Sequence, residues 1–350
     1  MKRQDYDMAF MLQYENVAWY ENGRVRILDR RVYPVEVSFV YCSSYVEVAK
    51  AIRDMVTQSA GPYTACGMGM ALAAYECRNK SEEKQIEFMK EAAHALTYSR
   101  PTTSNNMGKV CRNSLKVFEK ALAEGRDTDK AIFDLTIESL NRRYSTMTVI
   151  GKHLVSLMGK NYNVMTQCFG ETIVGTMLRE AREKGLNLRL WVPETRPYFQ
   201  GSRLTASVCY DMGFDTTVIT DNMVSQVLKE KDINIFTSAA DSITMDGYVV
   251  NKIGTYQIAI SAKYHNVPYF VTGIPDVDKS SIDEVKIEYR DEREVLEARG
   301  VRNAMEGVKG YYPSFDITPP HLISGVVTDK GIYTPYNLEE YYKSEIKEFY

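Results

Sequence analysis

Residues 161–193 read NYNVMTQCFGETIVGTMLREAREKGLNLRLWVP, and this stretch decides the fold. A short apolar run gives way to a helical run at 171–184, and a second apolar run follows at 187–193. The same alternation continues as far as residue 272, with further strand-like runs at 215–220, 233–237 and 267–272. Strands that alternate with helices indicate βαβ units and a parallel sheet. The second half of the chain is therefore predicted to be an open α/β domain.

The first half of the chain is predicted to be mostly helical after a short β start. Residues 16–40 alternate in polarity around Glu21-Asn22-Gly23, which is typical of a hairpin turn. Ser44 is a candidate N-cap for the next helix, and helical runs follow near 66–79, 81–98, 104–124 and 127–146. The predicted fold class is α/β. A mostly helical N-terminal domain occupies residues 1–148, and a Rossmann-like parallel-sheet catalytic domain occupies residues 149–350.

Composition excludes several classes of protein. The net charge of −3 over 350 residues gives no bulk reason to expect a nucleic-acid partner. The polar N-terminus does not resemble a signal peptide, and no apolar run reaches the roughly 18–20 residues of a membrane helix. The six cysteines are scattered and the four histidines lack metal-site spacing. We expect a cytoplasmic protein with free thiols, no metal and no membrane partner. The sheet domain also lacks a GxGxxG segment after its first strand, so no dinucleotide cofactor is expected.

A cysteine and an aspartate follow two of the predicted strands. Cys168 comes after the apolar run in NYNVMTQCFGET, and Asp241 comes after the run in INIFTSAADSITMDG. In an open α/β sheet the strand ends deliver side chains to the ligand crevice. A thiol and a carboxylate in one crevice are an acid/base pair that needs no metal. From composition alone, a buried structural thiol and a helix cap are the commoner roles for these two residues.

Two segments carry residue types that bind anions. In ETRPYFQGSRLTA, Arg196, Gln200 and Arg203 surround a predicted helix start. In DSITMDGYVVNKIGT, Asn251 and Lys252 precede another helix start. Cations beside free backbone N–H groups at a helix N-terminus suit a phosphate or a sugar hydroxyl. The alternative for each segment is an ordinary solvated loop.

These blocks, taken in order, resemble the methylthioribose-1-phosphate isomerase family. They are TQCFG, VPETRPYFQGSRLTA, TVITDNM, AADSITMDGYVVNKIGTYQIAISAKYH and YYPSFDITPP. Ribose-1,5-bisphosphate isomerase and the regulatory subunits of the translation-initiation guanine-nucleotide exchange factor belong to the same superfamily. The resemblance implies an aldose–ketose isomerase that acts on a pentose 1-phosphate of the methylthioribose or 5-deoxyribose type and forms a homodimer through its sheet domain.

The resemblance also implies roles for individual residues. Cys168 matches the family's acid and Asp241 its partner carboxylate, while Arg100, Gln200, Asn251 and Lys252 match the substrate and phosphate contacts. An acid is needed because a sugar 1-phosphate does not open its ring spontaneously. A thiol in an apolar pocket stays protonated near neutral pH, and a carboxylate whose pKa is raised by the same pocket can shuttle a proton.

The chain departs from the family pattern at four places, one of which is the stretch FGETIVGTMLREA after Cys168, which is shorter than in the methylthioribose enzymes. Gln58-Ser59 stands where the family has Arg-Gly, which removes a cation, although Gly61 still allows the backbone to approach an anion. Gln167 stands where a histidine is common, and Ala239-Ala240 replaces Gly-Ala before the aspartate. These changes leave other substrates open, including ribose 1,5-bisphosphate. They also leave open a non-catalytic regulatory subunit that senses a sugar phosphate or a nucleotide, and a drifted protein that binds a phosphorylated metabolite.

Overall fold

The computed structural model describes residues 3–100 and 104–343, which form two compact units. The helical unit ends at Ser145, and the sheet unit begins at Thr146. This division lies inside one long helix, Thr128–Val155. The domain boundary expected from the sequence, between residues 148 and 149, lies in the same helix.

The helical unit contains a three-stranded sheet, and most of its described residues lie in helices. Its strands are β1 (Ala18–Glu21), β2 (Arg24–Leu28) and β3 (Phe39–Cys42), and they form one antiparallel sheet. Its helices are α1 (Tyr14–Val17), α2 (Tyr45–Arg53), α3 (Gly61–Cys77), α4 (Glu82–Thr97), α5 (Ser104–Ala123) and α6 (Thr128–Val155). In α3, 14 of 17 residues are buried, so this helix is apolar on all sides and is the centre of the unit.

Local sequence signals explain the start of this unit. The β1–β2 register pairs Glu21 with Arg24, which leaves Asn22 and Gly23 as a two-residue turn. Both have positive φ (50° and 73°), as a turn that matches the right-handed twist of the strands requires. Ser44 caps α2 as predicted, because its side chain accepts a hydrogen bond from the Glu47 N–H at 3.3 Å.

The sheet unit alternates strands and helices over its first four strands. Its helices are α7 (Thr172–Glu183), α8 (Ala206–Asp211), α9 (Val224–Glu230), α10 (Thr255–Tyr264), α11 (Arg293–Leu296) and α12 (Glu339–Tyr342). Its strands are β4 (Asn161–Met165), β5 (Asn187–Pro193), β6 (Asp215–Ile219), β7 (Ile235–Ala239), β8 (Ser242–Ile243), β9 (Val249–Lys252), β10 (Tyr269–Thr272), β11 (Glu297–Ala298), β12 (Val301–Arg302), β13 (Phe315–Thr318), β14 (Gly325–Val327) and β15 (Ile332–Tyr333).

The main sheet has seven strands in the order β15-β14-β10-β7-β4-β5-β6. All neighbouring pairs run parallel except β14 with β15. The chain moves outward from β4 through β5 to β6, and then continues on the other side of β4 at β7. The strand order therefore reverses between β4 and β7, and such a switch point is where open α/β sheets bind ligands.

The predicted α/β fold, with a helical first part and a parallel sheet after it, is confirmed. Three details differ from the sequence-based expectation. The helix expected at 127–146 extends to Val155, and the helix expected to start within ETRPYFQGSRLTA begins as a π-helix over Gly201–Thr205. Strands β14 and β15 complete the main sheet, and β13 pairs with β9. Their sequences are short and show no clear alternation of polar and apolar residues. Within the described residues, no helix is both long and apolar enough to cross a membrane.

Candidate active site

Cys168 and Asp241 lie beyond the carboxyl ends of two neighbouring strands. Strands β4 and β7 pair in parallel, with Val164 opposite Ile235 and Met165 opposite Phe236. Cys168 follows the end of β4 by three residues, and Asp241 follows the end of β7 by two. Both residues therefore lie at the switch point of the sheet. The sequence predicted that each of these residues follows the end of a strand. The strand order shows that the two strands are neighbours in the sheet.

The backbone of Cys168 has a conformation that few cysteines adopt. Its φ is 57°, and Thr195, at the end of the next strand, has a φ of 63°. The Cys168 N–H donates to the Thr195 hydroxyl at 3.2 Å, and the Thr205 hydroxyl donates to the Cys168 carbonyl oxygen. Thr205 belongs to the π-helix that follows β5. Left-handed backbone at a non-glycine residue and π-helical turns both occur preferentially at functional sites.

The surroundings of Cys168 keep its thiol protonated. Burial raises the pKa of Cys168 to about 11, and the Asp241 carboxylate also raises it. The cations of Lys252 and Arg290 act in the opposite direction on this pKa and are outweighed by burial. A thiol of this kind is a proton donor at neutral pH rather than a nucleophilic thiolate. The acid role that the resemblance implies for Cys168 stays a prediction.

Asp241 differs from the expectation in one respect. A pocket around its carboxylate was expected, but Asp241 is exposed. Its own N–H donates to the Val250 carbonyl oxygen at 2.9 Å, which fixes the backbone against strand β9. The aspartate is therefore held in place by the sheet while its side chain remains accessible.

Lys252 is buried among aromatic rings close to Cys168. The side chain lies on β9, and the residue is only 4% exposed. Its Nζ lies 4.7 Å from the ring centroid of Phe315 and 5.9 Å from those of Tyr198 and Tyr312. Aromatic faces attract a cation and shield it from water. The neighbouring Asn251 is also buried and donates to the Thr255 hydroxyl at 3.0 Å.

The start of helix α10 is already occupied by a carboxylate of this chain. Asp316 accepts hydrogen bonds from the N–H groups of Gly254 (2.7 Å) and Tyr256 (3.1 Å). Burial raises the pKa of Asp316 to about 7, against the lowering effect of these two bonds. The sequence suggested an open helix N-terminus for phosphate after Lys252. The structure corrects this expectation, because a substrate anion at these N–H groups would have to displace Asp316.

The arginines of the ETRPYFQGSRLTA segment donate hydrogen bonds to main-chain oxygens. Arg196 Nη2 donates to the carbonyl oxygens of Glu294 (3.2 Å) and Glu297 (2.8 Å). Arg203 donates through Nε to the carbonyl oxygen of Tyr198 at 3.0 Å. Both side chains thus shape the loop, and their predicted contact with substrate stays a prediction.

Gln200 is placed differently from the two arginines. It immediately precedes the π-helix, is 6% exposed, and its Oε1 has no hydrogen-bond partner among residues 3–100 and 104–343. A buried amide oxygen without a partner is costly in a protein interior. Gln200 is therefore suited to accept a hydrogen bond from a ligand hydroxyl.

A cavity lies between the ends of β4, β7 and β10 and helices α6 and α7. Its walls include Gln167, Ala239, Ile173 and Met177, and none of its lining residues is charged. The cavity borders the two strand ends that lead to Cys168 and Asp241. Its walls are predominantly apolar, so it suits an uncharged part of a ligand.

The remaining predicted residues, Gly61 and Arg100, belong to the helical unit. Gly61 begins α3, and its N–H donates to the Gln58 carbonyl oxygen at 3.1 Å. The buried Arg30 donates to the same carbonyl oxygen at 2.7 Å, so a cation lies close to the Gln58-Ser59 segment. Arg100 is half-buried, and the Pro101-Thr102 turn that was matched to the family lies outside the described residues.

Sequence reasoning missed two groups next to Lys252. Arg290 lies 5.5 Å from the Tyr198 ring centroid and forms an ion pair with Glu288 (2.7 Å). It comes from EYRDEREV, a charge-dense stretch that resembles a solvated surface. Asp316 lies within YYPSFDITPP, which contributed to the resemblance but suggested no role for the aspartate. No group of three or more His, Cys, Asp or Glu residues suited to a metal occurs in the described part of the chain.

Comparisons with known proteins agree with the resemblance. The sequence profile of the Initiation factor 2 subunit family matches residues 61–335. Methylthioribose-1-phosphate isomerase 1 of Pseudothermotoga lettingae is 35% identical over 331 residues, which cover 91% of this chain and 94% of that protein. The methylthioribose-1-phosphate isomerase of Thermotoga maritima is 33% identical over 340 residues, which cover 93% of this chain and 96% of that protein.

Two solved structures are similar over nearly the whole chain. The 5-methylthioribose 1-phosphate isomerase of Pyrococcus horikoshii OT3 superimposes with a TM-score of 0.82 at 27% identity, covering 95% of this chain and 98% of that one. The translation initiation factor eIF-2B subunit delta of A. fulgidus superimposes with a TM-score of 0.81 at 28% identity, covering 94% and 99%. The fold is thus shared by an enzyme and by a translation factor.

Proposed function

The chain belongs to the Initiation factor 2 subunit family, and within it we propose that the protein is an aldose–ketose isomerase that converts a pentose 1-phosphate into the ketose 1-phosphate. The observation that carries this proposal is the Cys168 thiol. Its pKa is raised by burial to about 11, and it lies at the sheet's switch point within the electrostatic reach of Asp241 and Lys252. The names of the curated relatives support the same reaction class.

The chemistry follows from the protonation states of these groups. Cys168 donates its proton to the ring oxygen of the sugar as the bond between that oxygen and C1 breaks. The hydrogen on C2 moves to C1 with its bonding electrons, and Asp241 takes up the proton released from the C2 hydroxyl as the carbonyl forms. The proton on Asp241 then returns to the sulfur, which restores both groups of the protein, and the product is the open-chain ketose isomer of the cyclic substrate. A positioned acid and base typically contribute 10²–10⁴-fold to such a rate.

The substrate is held by residues around this pair. Lys252 supplies a buried cation for the phosphate, and Asn251 and Gln200 supply amide groups for sugar hydroxyls. Arg196 and Arg203 complete the proposed contacts of the sheet unit, and Gly61 and Arg100 are proposed as contacts only because the family resemblance implies them. Phosphate binding fixes the sugar relative to the acid and base, and such binding energy lowers the barrier of the reaction.

The uncharged cavity beside β4 and β7 favours one group of pentoses. A methylthio or methyl group at C5 fits its apolar walls, whereas a second phosphate would find no cation there. We therefore favour methylthioribose 1-phosphate or 5-deoxyribose 1-phosphate over ribose 1,5-bisphosphate. We also propose that the protein acts as a homodimer, as the family resemblance implies.

A second candidate function is a non-catalytic regulatory subunit. The similarity to the A. fulgidus initiation-factor subunit, with a TM-score of 0.81, favours it. A sensor of a sugar phosphate or a nucleotide needs neither the acid nor the base, so the presence of both Cys168 and Asp241 supports the enzyme instead.

The substrate is tested by offering three sugars to the purified protein. Methylthioribose 1-phosphate, 5-deoxyribose 1-phosphate and ribose 1,5-bisphosphate are incubated separately, and ketose formation is followed by ¹³C and ³¹P NMR. We expect turnover of the first or second sugar and much slower turnover of the bisphosphate. Preferred turnover of the bisphosphate would contradict the substrate assignment, and binding of a sugar without any turnover would favour the regulatory candidate.

A further inference from the structure

Gln167 joins two parts of the sheet unit that carry the proposed active site. Its Nε2 donates to the Ile253 carbonyl oxygen at 3.1 Å, and its Oε1 accepts from the Thr195 hydroxyl at 3.3 Å. Ile253 directly follows Lys252, and Gln167 directly precedes Cys168. The side chain therefore connects the loop of the thiol with the turn of the buried cation.

The same hydrogen bonds reach the backbone of Cys168. The Thr195 hydroxyl accepts from the Cys168 N–H at 3.2 Å, and it shares its own proton between Gln167 Oε1 and the Pro193 carbonyl oxygen at 3.2 Å. Cys168 and Thr195 both have positive φ, which is unfavourable for side-chain-bearing residues unless the surroundings hold it. Gln167 is part of what holds this loop.

The structure leaves room for this amide and fixes its orientation. Gly254 has a φ of 102°, and a Cβ at this position would lie 3.1 Å from Gln167 Nε2. Gln167 itself is 3% exposed, so water does not compete for its hydrogen bonds. A flipped amide would place its oxygen against the Ile253 carbonyl oxygen, and only the observed orientation satisfies both ends.

We propose that Gln167 is a positioning residue, which holds the Cys168 thiol beside the Lys252 ammonium in the arrangement that the isomerisation needs. This inference rests on the proposed function of the Cys168/Asp241 pair. Gln167 does not touch the reacting atoms in this role. It acts through the loop of Cys168 and the turn after Lys252, so its loss lowers turnover through misplacement of the acid.

The first test measures the thiol without any substrate. Gln167→Met keeps the length of the side chain and removes both hydrogen bonds. Cys168 is half-buried, and once the loop loosens more water reaches the thiol, so its pKa falls from about 11 toward 9.0. We expect iodoacetamide to alkylate Cys168 about 10- to 100-fold faster at pH 8, because thiolate is the reactive form. Peptide mass spectrometry separates this cysteine from the others.

Two controls distinguish local loosening from general unfolding. Cys209 is fully buried in the same unit, and burial raises its pKa to about 12, so it should stay unlabelled if the fold is intact. Gln257→Met is the matched variant, because Gln257 is exposed on α10 and donates to the Asp221 carbonyl oxygen at 3.1 Å. It should leave the labelling of Cys168 at the wild-type rate.

The second test measures turnover of the sugar phosphate that the wild-type protein converts. Gln167→Met should lower kcat about 10- to 100-fold and change KM less than about threefold, since misplacement of a catalytic group by about 1 Å costs about this much. Unchanged kcat together with wild-type labelling of Cys168 would overturn the proposal. Equal labelling of Cys168 and Cys209 would show unfolding, and Thr195→Val, which removes the hydroxyl that joins Gln167 to the Cys168 N–H, then decides by the same two measurements.

Failure of the proposed function has a different signature. If the wild-type protein converts no sugar phosphate, the reaction is wrong, and the role of Gln167 in that reaction is wrong with it. Faster labelling of Cys168 in Gln167→Met would still show that the amide holds the loop. The two failures are therefore distinguishable in one set of samples.

Discussion

The thiol of Cys168 provides the most specific prediction, because its protonation state underlies its role as an acid. Burial raises its pKa to about 11, compared with 9.0 for an unperturbed thiol. At pH 9 an unperturbed thiol is half ionised, whereas about 1% of Cys168 would be thiolate. We therefore expect the alkylation rate of Cys168 to be about 50-fold below that of an exposed thiol at pH 9 and to rise until about pH 11.

Two substitutions should move this pKa in opposite directions. Lys252→Met removes a cation that lowers the pKa of the thiol, so alkylation at a given pH should become slower. Asp241→Asn removes a carboxylate that raises the pKa, so alkylation should become faster. Lys229→Met is the matched control for the lysine, because Lys229 is exposed on α9, and it should leave the profile unchanged.

The assay is the rate of iodoacetamide labelling of Cys168 between pH 7 and 11, followed by peptide mass spectrometry. A short incubation at each pH and a circular dichroism spectrum establish that the protein remains folded. A midpoint at or below pH 9 would refute the reasoning from burial. A faster rate in Lys252→Met than in the wild-type protein would refute the assignment of Lys252 as a neighbour of the thiol.

Three further predictions concern stability. Burial raises the pKa of Asp316 to about 7, whereas the unfolded chain releases this proton near 3.8, so the free energy of unfolding should fall as the pH rises from about 4 to 7. Asp316→Asn should flatten this dependence in urea titrations, and an equally steep fall in the variant would contradict the prediction. Phe236 is fully buried and stacks on Tyr269 with ring centroids 4.3 Å apart, so Phe236→Ala should cost about 3–5 kcal/mol in urea denaturation, and a cost below 1 kcal/mol would argue against this core. Ser44→Ala should cost about 1 kcal/mol by the same measurement because the Glu47 N–H loses its acceptor, and no change would show that the cap is not formed in solution.

The sequence predicts the fold because its signals are local. The turn at Asn22-Gly23 and the cap at Ser44 each depend on a few neighbouring residues, and both occur as expected. The strand-like runs that end before Cys168 and Asp241 also mark real strands. Which strands become neighbours depends on packing across the whole sheet, and no local pattern contains the pairing of β4 with β7.

The parts of the candidate site that the sequence did not reveal depend on contacts between distant segments. Asp316 caps α10 from a strand about 60 residues later in the chain, with its carboxylate on the Gly254 and Tyr256 N–H groups. Arg290 reaches the rings around Lys252 from a segment whose charges suggested solvent. Arg196 is a further example. The spacing in the sequence associated this residue with phosphate, but its partners are the main-chain oxygens of Glu294 and Glu297, about 100 residues away.

The most direct test of the Cys168/Asp241 pair compares the wild-type protein with Cys168→Ser and Asp241→Asn. Each protein is given methylthioribose 1-phosphate or 5-deoxyribose 1-phosphate, and ³¹P NMR measures how fast the sugar is converted. We expect turnover in the wild-type protein and a loss of at least about 100-fold in kcat in each variant, with the fold unchanged by circular dichroism. No turnover of either sugar by the wild-type protein, or turnover that survives both substitutions, would contradict this expectation.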